Sequence, residues 1–397
     1  MAKFIFLFFF ILVSGGKEFA KLEVGPVYPV DIFLGLCGVI FLYKLIKNGR
    51  IEIYQGSRIL IGIIIAYIVY GVILSITHSG DSLRLTLRDL TIFVYASSII
   101  VLPYLTRRVG LGGFVLALYI GCCIILGQGI LNQIVGYSYV HQGRYISGQS
   151  GIYIIFAMNY LIADLVIKNR FNTWVGICKV IFLFFLSYGI ILTLHRMYLV
   201  AIVGGGMAIV VYASLLKNKS LKFELMKSIF VFSALFSLLI LIFPSGDFFD
   251  RILMLSADST SVSFRTTAWL LALERWLVEP WFGEGLGLPF DFLSNDTEFL
   301  DARPHNMFLT ILMKSGVLGL FLFFGVLFYT IKNFCNLAKL NKCFTPSGNA
   351  RVAGSFGSFV AAIIIGFGNL MIESPFLAVF FWFFCGVAII KVQEKYV

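Results

Sequence analysis

Twelve apolar segments, most of them close to 20 residues long, occupy more than half of the chain. A helix needs roughly 20 apolar residues to cross the hydrocarbon core of a bilayer. Charged residues make up only 13% of the sequence, against about 25% in soluble proteins, which is too few to cover a water-exposed surface. The sequence therefore predicts an all-α integral membrane protein with about 12 transmembrane helices. These spans are 4–15, 28–46, 59–77, 89–106, 111–131, 149–167, 173–194, 197–216, 228–243, 306–331, 352–372 and 375–391.

The first segment is short and has two interpretations. Lys3 precedes it and Ser14-Gly15-Gly16 follows it, so residues 1–16 also fit a cleaved signal peptide. Either interpretation leaves the orientation of the remaining spans unchanged.

The basic residues fix the predicted orientation, because cytoplasmic loops are enriched in Lys and Arg. With the N-terminus inside, 19 of the 31 basic residues lie in cytoplasmic segments and 10 lie outside. Sixteen of the 20 acidic residues lie outside or near the outer face. We therefore expect both termini in the cytoplasm and attribute the net charge of +11 to topology. Nucleic acid is not an expected partner.

One long hydrophilic stretch interrupts the pattern. It divides the chain into a nine-helix region (1–243), an outer loop (244–304) and three C-terminal helices (305–397). Long loops of this kind are often functional.

Within this loop we expect a helix capped by Ser261 or Ser263 and ending near Val278, lying against the outer membrane surface. Glycines 283, 285 and 287 then predict a flexible link. Arg275 lies on the other side of that helix from Arg265, so we expect its substitution to have little effect on activity.

Where this loop enters span ten, Arg303-Pro304-His305-Asn306 is followed by Gly316 and Gly319. By position alone, Pro304 and Asn306 start a helix, His305 is an interfacial residue, and the glycines allow close helix packing. The same residues also suit an active site at the membrane surface. Phosphate-binding and dinucleotide-binding glycine motifs are lacking, which argues against nucleotide chemistry.

In this passage His305-Asn306 is followed by nine residues, Gly316, two further residues and Gly319. The pattern resembles the signature of the O-antigen ligase/polymerase superfamily. Two further segments are similar to this family: Phe264–Trp269 with the Pro280 to Gly287 link, and Leu194–Met197. The resemblance covers roughly 190–320. It implies a GT-C-like, all-helical membrane glycosyltransferase whose active site faces the periplasm.

The resemblance implies transfer of a glycan from a polyprenyl-pyrophosphate donor. His305 is then the catalytic base, because its ordinary pKa suits proton transfer near neutral pH. Arg196 and Arg265 bind the pyrophosphate, because a guanidinium grips two phosphate oxygens at once. No metal or other cofactor is expected, and we favour a single inverting step. His195 is interpreted as structural. Secondary candidates are Arg303, Asn306, Glu373, His141 and Arg144.

Three functions remain open. A polymerase joins repeat units of a surface polysaccharide such as O-antigen or capsule, and it is the function we favour. A ligase moves finished glycan onto lipid A-core. A lipid-linked glycan transporter predicts broken helices and charges at mid-span instead. All three place the chain in the bacterial inner membrane with membrane lipid around it, and a chain-length regulator is a compatible partner.

Overall fold

A computed structural model describes residues 2–20, 28–48, 57–80, 82–106, 110–137, 144–168, 173–193, 195–216, 259–294, 297–299, 303–339 and 345–389. Its first nine helices are α1 Ala2–Ala20, α2 Pro29–Asn48, α3 Arg58–Thr77, α4 Leu83–Val94, α5 Ser98–Thr106, α6 Gly110–Val135, α7 Gly148–Lys168, α8 Trp174–Thr193 and α9 Arg196–Leu215. Its remaining elements are α10 Ser259–Val278, β1 Phe292–Ser294, β2 Thr297–Phe299, α11 Met307–Lys339, α12 Pro346–Gly366 and α13 Pro375–Val387.

The prediction of an all-α integral membrane protein is confirmed. Among the described residues, nine helical stretches are long and apolar enough to cross a membrane, and two shorter apolar helices accompany them at Lys3–Gly15 and Pro375–Val387. Each of these eleven overlaps a predicted span. The predicted span 228–243 lies outside the described residues. β1 and β2 form one short antiparallel hairpin in the loop before α11.

The centre of the bundle consists of α7, α12 and α13, whose residues are mostly buried. Small residues bring these helices together, since a side chain on Gly354 would overlap Tyr160. The hydroxyl of Tyr160 also lies 2.6 Å from that of Ser355. α13 has 13 residues, a length of about 20 Å, which is shorter than the hydrocarbon core. Phe380 to Phe384 on this helix are fully buried, so this aromatic run packs in the protein core.

Two predicted spans have different boundaries in the structure. The fourth begins at Leu83, six residues before its predicted start, and a short 3₁₀ turn at Tyr95–Ser97 divides it into α4 and α5. α12 ends at Gly366, although apolar residues continue to 372. Met371 and Ile372 are fully buried, so their apolar character reflects packing inside the protein and not continuation of a membrane helix.

The tenth predicted span is not one continuous helix. Gly316 has φ 61° and ψ −166°, a backbone conformation that is essentially restricted to glycine. The rings of Phe308 and Phe324 lie 5.7 Å apart, whereas sixteen residues of straight helix would separate them by about 24 Å. The chain therefore turns back sharply at Gly316. We call residues 307–315 the first arm of α11 and residues 317–339 its second arm.

Backbone groups freed by this break are satisfied by the loop that follows α10. Val317 N–H donates to the Pro280 carbonyl at 2.9 Å, and Leu318 N–H donates to the Trp281 carbonyl at 3.3 Å. A side chain at position 316 would overlap the backbone of this loop. Gly316 thus serves the loop contact, and not the helix–helix approach that the sequence suggested.

Candidate functional site

Several helix ends meet at one end of the bundle. Tyr198, near the start of α9, donates a hydrogen bond to the Gly148 carbonyl at the start of α7. Gly366, at the end of α12, packs against Met307 at the start of α11. The candidate site lies where these ends meet α10 and the turn at 367–374.

His305 lies between α10 and the first arm of α11. Its backbone has φ 54°, the one positive φ found at a non-glycine residue in the described ranges. Such a conformation costs free energy and is frequent at functional sites. The ring packs edge-on against Phe264 of α10, with centroids 5.6 Å apart. The indole N–H of Trp269 donates to the Pro304 carbonyl at 2.8 Å, which ties α10 to the segment that carries the histidine.

The electrostatic surroundings of His305 lower its pKa below the ordinary value of 6.5. Burial is the largest cause, because it disfavours the charged imidazolium. The Glu373 carboxylate acts in the opposite direction, and the guanidinium groups of Arg265 and Arg303 lower the pKa further. The neutral imidazole, which can accept a proton, is therefore the dominant form at neutral pH.

Arg265 connects two histidines across the site. It lies in α10 and interacts electrostatically with His305 and with His195. Its Nη1 also lies near Gly368 in the turn after α12, since a β-carbon added to this glycine would be 3.9 Å from Nη1. The structure therefore brings the predicted base and one predicted pyrophosphate ligand together.

His195, interpreted as structural from the sequence, belongs to the same cluster. Burial, together with Arg144 and Arg265, lowers the pKa of His195 to about 4, so the ring stays neutral between the two cations. Its ring stacks on Tyr198 with centroids 4.7 Å apart. Arg196 is the half-buried first residue of α9 and directly follows this histidine. No sequence motif pointed to His195, because only its neighbour Arg196 matched the arginine motif.

Arg303 and Glu373 form a shielded ion pair beside the histidine. Arg303 Nη1 lies 2.7 Å from Glu373 Oε2, and the Glu373 side chain is fully buried. Among the described atoms, Glu373 Oε1 has no hydrogen-bond partner. Asn306 Oδ1 accepts from the N–H groups of Phe308 and Leu309 and so caps α11. His141 lies outside the described residues.

Two expectations for the long loop are wrong. Ser261 and Ser263 lie inside α10, which already begins at Ser259, so neither is its cap. The glycine link is ordered: Gly283, Gly285 and Gly287 are buried, with φ between 75° and 89°. Side chains there would overlap α11, His78 and Thr86 respectively, so these glycines allow close packing and not flexibility.

Arg275 is part of an ion pair within the protein, which the sequence did not predict. Its Nη1 donates to Glu284 Oε2 at 3.2 Å and to the Pro289 carbonyl at 2.8 Å. Glu284 in turn lies 2.8 Å from Lys314 Nζ. From the sequence, the one indication of this cluster was Lys314, a charged residue within the tenth predicted span.

A comparison with known protein families agrees with the helical membrane fold. Residues 181–324 match a family described as O-antigen ligase. The matched region runs from α8 to the second arm of α11 and includes His195, Arg196, Arg265 and His305. This match supports the resemblance to the O-antigen ligase/polymerase superfamily that the sequence motifs indicated. Comparison with curated proteins found no match.

Proposed function

We propose that this protein is a membrane glycosyltransferase that moves a glycan from polyprenyl pyrophosphate to the hydroxyl group of an acceptor sugar. The observation that carries the proposal is the convergence of His305 and Arg265, both half-buried, at one cluster of helix ends. A base and a phosphate-binding cation are the two groups that this reaction requires.

His305 acts as the general base. Its pKa lies below 6.5, so at neutral pH the imidazole is ready to take the acceptor proton. Among the residues around it, Glu373 favours the imidazolium that forms, because it is the negatively charged neighbour. The positive φ of His305 fits a side chain held in one orientation for this purpose.

Arg265 and Arg196 hold the pyrophosphate. Arg144 and Arg303 add positive charge to the same end of the bundle, and Glu373 is the carboxylate that partly balances it. This excess of positive charge suits a pyrophosphate leaving group whose negative charge grows during transfer. In this proposal, guanidinium groups supply the charge stabilisation, so the reaction uses no metal ion or other cofactor.

The reaction is a single displacement. The acceptor oxygen attacks the anomeric carbon while its proton moves to His305. The bond from this carbon to the phosphate oxygen breaks, and the polyprenyl pyrophosphate leaves with the electron pair. One such step inverts the configuration at the anomeric carbon and forms no covalent enzyme intermediate.

We favour a polymerase that extends a surface polysaccharide, and the ligase is the alternative. Both use the same chemistry and the family includes both possibilities, so the choice rests on the acceptor. A deletion strain distinguishes them: glycans of one repeat unit indicate a polymerase, whereas accumulated long lipid-linked glycan indicates a ligase. In either case we place the protein in the inner membrane with its site facing the periplasm. A chain-length regulator is a further partner of the polymerase.

The transporter alternative predicted broken helices, and α11 is indeed broken at Gly316. However, the loop after α10 occupies this break through hydrogen bonds from Val317 and Leu318. Broken helices in transporters usually leave such backbone groups available to the cargo. The break here supports a fixed loop, which favours the enzyme.

Substitution of His305 tests the proposal. Loss of a general base costs about 10²- to 10⁴-fold in rate, so His305→Ala and His305→Gln should both abolish glycan extension at normal protein abundance. Glycan length on a gel, beside an immunoblot of membranes, is the measurement. Full-length glycan from the Gln variant at normal abundance would remove the base assignment.

A further inference from the structure

Lys314 is the centre of a buried ion network that the proposed mechanism does not use. Its ammonium group lies 2.8 Å from Glu284 Oε1 and 3.3 Å from Asp89 Oδ2. It also donates to the Leu288 carbonyl at 3.1 Å. The contact with the Leu288 carbonyl is a hydrogen bond, and the two carboxylates are ion-pair partners of the ammonium group. The side chains of Lys314, Glu284 and Asp89 are each less than a tenth exposed.

The network joins four separate parts of the chain. Asp89 lies in α4, Arg275 in α10, Glu284 in the loop after α10, and Lys314 in the first arm of α11. Arg275 binds the second carboxylate oxygen of Glu284 at 3.2 Å. Backbone bonds reinforce the same junction: Gly287 N–H donates to Asp89 Oδ2 at 2.9 Å, and Glu284 N–H donates to the Met313 carbonyl at 2.8 Å.

Arg88 also contributes to the network, with its Nε 3.9 Å from Asp89 Oδ1, so three cations face two carboxylates. Buried ion pairs are weak contributors to stability, because desolvation offsets their attraction, and apolar packing could fill the same space. Ion pairs instead fix geometry, since each partner tolerates few arrangements of the others. A role in positioning therefore explains this arrangement better than a role in stability.

Two helical segments, α10 and the first arm of α11, run from this network to the candidate site. Arg275 and Arg265 are ten residues apart on α10, a distance of about 15 Å along the helix. Lys314 lies nine residues after His305, about 13 Å along the chain if the first arm of α11 is followed. The Trp269–Pro304 hydrogen bond, 2.8 Å long, links the two arms nearer the site. The network thus fixes α10 and the first arm of α11 at the ends that lie away from Arg265 and His305.

We propose that Lys314, with Glu284 and Asp89, is a positioning residue that sets the spacing between Arg265 and His305. This inference rests on the proposed function, because it assigns the network to the same reaction. A displacement of about 1 Å at a reacting centre can lower the rate about 10²-fold. Disturbing the network should therefore lower kcat strongly, while binding of the donor changes less.

The test combines kinetics with a distance that does not depend on the reaction. Spin labels are placed at Leu270 on α10 and Phe321 on the second arm of α11, which are 57% and 73% exposed, after the seven native cysteines are replaced. Lys314→Met should broaden the distance distribution between the labels. It should also lower kcat about 10²-fold with a smaller change in KM for a polyprenyl-pyrophosphate glycan donor.

Lys179→Met is the matched control. Lys179 also lies within a predicted span and pairs with a carboxylate, Asp164, but Lys168 binds that carboxylate too at 2.5 Å. We expect a normal distance distribution and normal kinetics for this variant. A wild-type distance distribution and wild-type kcat in Lys314→Met would overturn the inference.

A second variant covers the outcome in which Lys314→Met fails to insert. Lys314→Met combined with Glu284→Gln and Asp89→Asn neutralises the centre of the network without leaving an uncompensated carboxylate. If the ions set geometry, this triple variant inserts but shows the broad distance distribution and low kcat. A normal distance distribution and a normal kcat would show that the charges do not set the geometry, and would overturn the inference. Because the distance is measured without substrate, a failure of the proposed reaction at His305 remains distinguishable.

Discussion

At the scale of single residues, His305 is defined by the charges on either side of it. Burial, Arg265 and Arg303 lower its pKa, and Glu373 raises it. A general base works only when unprotonated, so kcat/KM should fall as the pH drops through the pKa of His305 in the free enzyme. For the wild-type protein we expect the midpoint of this acid limb below 6.5.

Two substitutions should move this acid limb in opposite directions. Glu373→Gln removes the carboxylate that favours the imidazolium, so the pKa of His305 falls and the limb moves to lower pH. Arg303→Gln removes a cation that lowers the pKa of His305, so the limb moves to higher pH. The measurement is kcat/KM against pH for purified protein in lipid nanodiscs. Shifts in the same direction, or none, would contradict the electrostatic arrangement.

Arg265 gives a second prediction at this scale. Lysine keeps the positive charge but lacks the planar fork that matches two phosphate oxygens. Hydrogen bonds to charged groups contribute about 1.5–3 kcal/mol, so Arg265→Lys should lose at least about tenfold in activity, nearly as much as Arg265→Ala. Transfer by purified protein measures this. Arg84→Lys, at an exposed residue near the start of α4, is the control and should retain activity. Recovery of activity in Arg265→Lys would reduce Arg265 to an electrostatic anchor.

At the scale of elements, the break in α11 makes a prediction about stability. Gly316→Ala places a side chain where φ is 61° and where the loop backbone leaves no space. Such backbone strain alone costs about 1–3 kcal/mol, so we expect a lower unfolding temperature in detergent and faster proteolysis of the loop after α10.

Gly325→Ala is the matched control on the same helix. The nearest atoms to a β-carbon there belong to Ile63 at 3.4 Å, an ordinary contact. We expect no loss of stability for this variant. If both alanine variants unfold at the same temperature, the positive φ and the loop contact at position 316 do not require glycine.

The helices were predictable from the sequence, whereas the break and the ion network were not. Hydropathy locates helices because each span must satisfy its own backbone in lipid. A glycine that permits a turn and a glycine that permits helix packing look alike in one sequence, so Gly316 was misinterpreted. Asp89 and Lys314 are 225 positions apart, and no local pattern links them. His305 and Arg265 were found through motifs, but His195 and Arg275 required the three-dimensional structure.

At the scale of the whole molecule, the proposed function depends on which side of the membrane the candidate site faces. A donor on polyprenyl pyrophosphate supplies activated sugar where nucleotide sugars are lacking, so the site must lie on the outer side. The distribution of basic residues predicts this orientation, with 19 in cytoplasmic segments and 10 outside. The same orientation places the start of α8 in the cytoplasm.

Cysteine labelling checks this orientation at two exposed residues. Asp291→Cys lies in the loop at the site end and Trp174→Cys at the start of α8, both on a background without native cysteines. A membrane-impermeant thiol reagent added to spheroplasts should label position 291 directly. Position 174 should react only after the membrane is permeabilised. The reverse pattern would place His305, Arg196 and Arg265 on the cytoplasmic side, where a periplasmic glycan transfer could not occur.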